Sequence, residues 1–184
     1  MKIDLPLSFS QILYFVLAAV AVLLAIRAIG YFFTAMGLYT IAKRREIACP
    51  WLAWIPVANQ WTLGSIYDDY KWMVSGDYTK MRMTLLVFAI LEGVGVLFDT
   101  YVWNNSDALE QAALFAVFGI PILIIEIVAF VFQCKAYYSL YASCKPKGAV
   151  LLLVLSIIFP FLLPFFIFAC RKCDDGLYIT KYKV

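Results

Sequence analysis

Histidine is absent from this chain, and its absence removes several chemistries together. Without imidazole there is no Ser-His-Asp triad, no His-ligated metal and no side chain that titrates near neutrality unperturbed. Charge is also scarce: 15% of the 184 residues are Asp, Glu, Lys or Arg, with a formal net charge of +3. The basic residues lie between apolar runs and form no continuous patch, so no nucleic-acid partner is expected. Gly/Ser linkers, low-complexity tracts and internal repeats are lacking, which leaves a single domain over residues 1–184. The five cysteines, Cys49, Cys134, Cys144, Cys170 and Cys173, are odd in number and irregular in spacing, unlike a secreted disulfide framework. No nucleophile-base pair or metal-ligand set stands out, so neither an enzyme nor a cofactor is expected.

What the sequence has in excess is apolar surface. At 65% hydrophobic residues, a domain of this size could not bury it all against itself, and a lipid bilayer is the expected solvent. The expected fold class is all-α: an integral membrane helical bundle of about four membrane-embedded segments, plus one interfacial or re-entrant tryptophan-rich helix.

The first apolar run, residues 12–42, is interrupted by one charge, Arg27, and ends at Lys43, Arg44 and Arg45. It exceeds the roughly 30 Å hydrocarbon core and must tilt or protrude. Its polar start and its length fit a retained anchor better than a cleaved secretory signal. Residues 49–67 are apolar but punctuated by Pro50, Pro56, Asn59, Gln60 and Gly64, with Trp51, Trp54 and Trp61 at helical spacing. Indoles suit the membrane interface, so these three read as interfacial anchors on one face. The mixed-charge stretch 68–82 reads as a solvated loop. Residues 85–103 form a second span and 112–134 a third, kinked by Pro121. A basic connector, 135–147, precedes a fourth apolar run, 149–170, which contains Pro160 and Pro164, and the polar tail 171–184.

Lysine and arginine counts discriminate among topologies, because cytoplasmic loops carry the excess. If the tryptophan segment does not span, Lys43, Arg44, Arg45, Lys71, Lys80, Arg82, Lys135, Lys145 and Lys147 share one side, nine against five. If it does span, the division is seven against seven. The N-terminus is therefore expected outside. A fourth run that turned back at 159–164 would sharpen the count to thirteen against one. A turn at mid-bilayer, however, threatens to expose unpaired backbone, and a full proline-bent crossing is the expectation.

Arg27, Glu92, Asp99 and Glu126 sit at membrane depth, where each costs about 2.5–3.5 kcal/mol near a helix centre, so they should face one another or water. Small and polar residues accompany them at helical spacing: Gly30, Thr34 and Gly37 with Arg27, Ala89 and Gly95 with Glu92 and Asp99, Gly119 and Gln133 with Glu126. The three stripes are expected to meet, forming an intramembrane polar cluster of Arg27, Glu92 and Glu126. Its single excess negative charge implies a protonated glutamate or a bound cation. A structural ion pair and a proton, cation or substrate pathway both fit. Asp99, near its helix end, reads as a wetted interfacial residue.

Cys170 and Cys173 have Cys-x-x-Cys spacing, but a tetrahedral zinc site wants four ligands, which Cys144 and Cys134 could supply only through folding. Idle interfacial thiols, palmitoylation or an oligomer disulfide are the other readings. Lys135, Tyr137, Tyr138, Tyr141, Lys145 and Lys147 could touch anionic headgroups or serve as ordinary positive-inside anchors.

The stretch LYTIAKRR at 38–45 followed by PWLAWIPVANQWTLGSIYD at 50–68, together with LSIIFPFLLP at 155–164, resembles an uncharacterised family of small multi-pass membrane proteins of Gram-positive, Clostridia-type bacteria. The resemblance implies a bacterial plasma membrane and carries no functional residues. Two function classes remain. One is an oligomeric channel- or transporter-like bundle with buried carboxylates; the alternative is a non-catalytic scaffold or accessory subunit. The expected partners are the lipid bilayer and either further copies of the chain or a larger membrane complex.

Overall fold

The computed structural model describes residues 9–105, 107, 110–111 and 114–173. All regular structure among them is helical. Helix α1, Phe9–Arg44, contains no proline and closes on Lys43 and Arg44, whose charges suit a helix C-terminus. At 36 residues it is about 54 Å long.

After α1 the chain reverses. Glu46 and Cys49 both take positive φ, and a 3₁₀ turn, Pro50–Trp54, runs back along α1. The Tyr31 hydroxyl donates to the Trp54 carbonyl at 2.8 Å, and the Trp54 ring meets Phe32 and Tyr39 at 5.5 and 6.4 Å. Because Tyr31 lies thirteen residues before Arg44, this tip sits about 20 Å from the end of α1. Val57, at φ 67°, reverses the chain again into α2, Ala58–Ser75, which ends on left-handed Gly76. Residues 46–75 are thus a hairpin folded against α1.

Helix α3, Met81–Asn105, begins under α2. It carries no acidic residue in its first turn, and α2 supplies the cap instead. The Asp68 carboxylate accepts from the Met81 amide at 2.9 Å, the Arg82 amide at 3.2 Å and the Thr79 hydroxyl. Gly64 allows the approach, since a Cβ there would lie 2.4 Å from the Arg82 Cα.

A π-helical turn, Phe115–Gly119, leads into α4, Ile120–Cys144. Pro121 cannot donate to the preceding turn and its ring crowds it, and the widened turn accommodates both effects. A short connector leads to α5, Ala149–Ile158, and, after the 3₁₀ turn Pro160–Leu162, to α6, Leu163–Cys170. The two apolar arms meet at a bend of 119°. Helix α6 packs along α1, where Gly37 makes room: a Cβ there would stand 2.8 Å from Ile167 Cγ2. Phe33 lies between Phe165 and Phe168, at 5.2 and 5.0 Å.

The core gathers at one end of the molecule, the end bearing Lys43, Arg44, Arg45, Lys145 and Arg171. Leu38 and Ile41 of α1, Leu63 and Ile66 of α2, Leu85 of α3, Leu140 and Tyr141 of α4, and Ile167 of α6 form one cluster. Arg45 ties this end together, donating to Ser143 Oγ at 2.7 Å and facing Asp69 at 3.7 Å. The Tyr141 hydroxyl bonds Ser156 at 2.8 Å, fastening α5 to α4. Away from this end, residues 11–29 of α1 are exposed on every side, and α3 and α4 continue only as a pair. Helices α1, α3 and α4 are each long and apolar enough to cross a bilayer, and the bent pair would make four.

Several segments depart from the sequence expectation. Residues 149–170 form a hairpin and not a straight crossing: Ala149 and Cys170 belong to the same core cluster, and the Arg44 guanidinium donates to the Arg171 carbonyl at 3.0 Å. The expected backbone penalty is small because Pro160 and Pro164 have no N–H to orphan, while the Phe159 and Leu162 amides bond Leu155 and Phe159 carbonyls at 2.9 Å. The stretch 68–75 is helix and not loop, since Asp68 and Asp69 satisfy α3 and Arg45. Residues 135–144 are the buried end of α4 and not a connector. Most of the tail, 174–184, and residues 112–113 of the third run lie outside the described residues.

Candidate functional site

Helices α3 and α4 pack antiparallel, and their register follows from aromatic pairs. Phe88 stacks on Phe132 with centroids 5.6 Å apart, and Phe98 meets Phe118 edge-on at 5.3 Å. Between these pairs Glu92 falls opposite Glu126, and the two are close enough to interact electrostatically. Small residues keep the helices near one another: Ala89 is buried, and a Cβ on Gly95 would touch Ile122 at 4.0 Å.

Two clefts flank the carboxylates, one on each side of the α3–α4 seam. The first, of 270 Å³, is lined by both glutamates with Gly95, Phe98, Phe118 and Ile122. The second, of 540 Å³, is lined by both glutamates with Val96, Ile127, Phe130 and Gln133. Glu92 is half-buried and Glu126 exposed. Among the described residues neither has an ion-pair partner. The pair therefore offers two acids, an amide and apolar walls to whatever enters from the side.

Arg27 is not brought to them. It lies on the exposed part of α1, which packs on α6, on the Pro50–Trp54 turn and on α2 and makes no extended contact with α3 or α4. The stripe of Gly30 and Gly37 does serve close helix contact, but against Pro164 and Ile167 of α6. The three stripes resolve into two separate seams, α1 with α6 and α3 with α4. Asp99 is exposed near the far end of α3.

The tryptophans do not form one interfacial face. Trp51 and Trp54 are exposed at the tip of the first hairpin, whereas Trp61 is half-buried on α2 beneath the Arg82 guanidinium, 5.4 Å from its ring centroid. The cysteines do converge: Cys144 and Cys170 are buried together, Cys173 packs against them, and both Cys170 and Cys173 come within hydrogen-bonding reach of Cys144. Even so, no group of three or more His, Cys, Asp or Glu among the described residues is arranged to hold a metal ion. The Lys135 ammonium covers the Phe132 ring at 5.3 Å and stays exposed, as an interfacial anchor would.

Sequence reasoning missed the roles of Asp68 as a cap, of Gly64 as the point of close approach and of Arg45 as a tie. A signal for α2 was present: Leu63, Ile66, Tyr67 and Tyr70 recur at helical spacing, and Gly76 marks a helix end. Comparison with protein-family models, curated proteins and solved structures finds no match.

Proposed function

We propose that this chain is an integral protein of a bacterial plasma membrane, and that its Glu92–Glu126 pair is the proton- or cation-binding element of a channel- or transporter-like assembly. In this reading α1, α3 and α4 cross the bilayer, and the hairpins 46–75 and 149–170 enter from the cytoplasmic side and return to it. The N-terminus is outside. Support for the insertion comes from helix length and apolarity over 34, 24 and 28 residues, and from the Lys and Arg division of thirteen against one that two returning hairpins produce. The likeness of residues 38–68 to small multi-pass proteins of Clostridia-type bacteria supports the compartment.

One observation carries the functional part: two glutamates face each other in register on adjacent helices and line the same two clefts. Two bare carboxylates at membrane depth are too costly to persist side by side, so the pair holds a proton or a cation between them. Purified protein in proteoliposomes under a proton or potassium gradient tests this. Wild type should dissipate the gradient, and Glu92→Gln and Glu126→Gln should each slow it severalfold. No dissipation by wild type, or unchanged rates in both variants, refutes the pathway and favours an accessory role.

A further inference from the structure

The charge that would complement the glutamate pair exists in this chain, but on the wrong helix. Arg27 is exposed on the isolated half of α1, and among the described residues it has no ion-pair partner. An unpaired guanidinium facing lipid is as costly as an unpaired carboxylate, and long exposed side chains rescue such charges only near an interface.

Depth makes the correspondence specific. The Arg45–Ser143 hydrogen bond provides a common origin for α1 and α4. Arg27 lies eighteen residues before Arg45, about 27 Å along α1, and Glu126 lies seventeen before Ser143, about 26 Å along α4. Glu92 is level with Glu126 through the register set by Phe88 with Phe132 and Phe98 with Phe118. The cation and the two anions therefore share one level to within a helical turn, and Arg27 and Glu126 are both exposed there.

We infer that a second copy of this chain docks its α1 into the α3–α4 cleft, so that Arg27 of one copy lies against Glu92 and Glu126 of the next. The contact joins two different surfaces, as in a closed ring or a mutually exchanged dimer. It covers the bare stretch 11–29 of α1, where exposed Val16, Val20 and Leu23 share the Arg27 face and would meet the apolar walls of the cleft. Two carboxylates against one guanidinium leave a single exchangeable proton or cation at each contact. This inference deepens the proposed function by completing its site, yet the assembly can be tested without any flux.

Differently tagged copies carrying Leu23→Cys and Leu123→Cys, each one turn from Arg27 and Glu126, are co-expressed in membranes and treated with a short bismaleimide, beside a control pair of Leu23→Cys with Ile12→Cys. Each is also paired with wild type to subtract the native cysteines. Because Leu23, Leu123 and Ile12 are all exposed and Arg27, Glu92 and Glu126 are kept, the substitutions disturb neither the core packing nor the charges under test. A doubly tagged dimer severalfold above the control supports the contact. Yields equal to the control, or wild type found as single copies by native mass spectrometry of nanodiscs, overturn it. Cross-linking without flux overturns the proposed function while leaving the contact standing; flux from single copies does the reverse.

Discussion

Replacing Asp68 isolates the device that starts α3. In the wild type its carboxylate receives the first two amides of that helix and the Thr79 hydroxyl, from a residue eleven to fourteen positions upstream. Losing an N-cap costs about 0.5–2 kcal/mol, and charge-assisted bonds lie at the upper end, although water can replace the exposed bond from Arg82. We expect Asp68→Ala to destabilise by about 2 kcal/mol, a fall of roughly 4–8 °C in Tm for a chain of this length. Asp68→Asn retains one acceptor oxygen and should fall about halfway. Thermal unfolding in detergent or nanodiscs, followed by helical circular dichroism, gives both values. A midpoint for Asp68→Ala within a degree or so of wild type would refute the claim that α2 caps α3.

Other substitutions probe the packing. Gly64→Ala should cost about 3 kcal/mol or more, because the new methyl meets the Arg82 backbone, which cannot rotate aside. Gly37→Ala should loosen α6 from α1, costing about 1–3 kcal/mol and raising protease sensitivity near Arg171. Tyr141→Phe removes the donor to Ser156, which itself bonds the Leu152 carbonyl, and should cost about 1 kcal/mol in the same melts. Cys144 and Cys170 should react with maleimide far more slowly than exposed Cys49 in detergent-solubilised folded protein, and equally fast after denaturation.

The all-helical class and the apolar runs were legible because lipid imposes length and hydropathy directly. The α3–α4 seam was legible too: Ala89, Glu92 and Gly95 recur at helical spacing on one helix and Gly119, Glu126 and Gln133 on the other, and close contact needs that spacing. The hairpins were not. At 149–170, apolar length argued for a crossing, while the countervailing facts, two prolines without N–H groups and a carbonyl of Arg171 waiting for Arg44, depend on partners far away in sequence. Charge counting had the correct end pairing because it reports where the ends lie and not how the middle is built. At 68–75 two adjacent aspartates read as solvent-facing, whereas one caps α3 and the other meets Arg45. Arg27 is not brought to the glutamates of its own copy for a related reason: helical spacing identifies a stripe but not the helix it meets.

The claim on which the rest depends is that residues 149–170 return to the side they left. Asp107→Cys and Lys172→Cys place reactive thiols at exposed positions beyond the far end of α3 and just after α6. With a membrane-impermeant maleimide on intact cells, Asp107→Cys should label above the wild-type background and Lys172→Cys should not, and inverted vesicles should reverse the pattern. Labelling of both positions from outside would mean that the chain crosses a fourth time and would contradict the account.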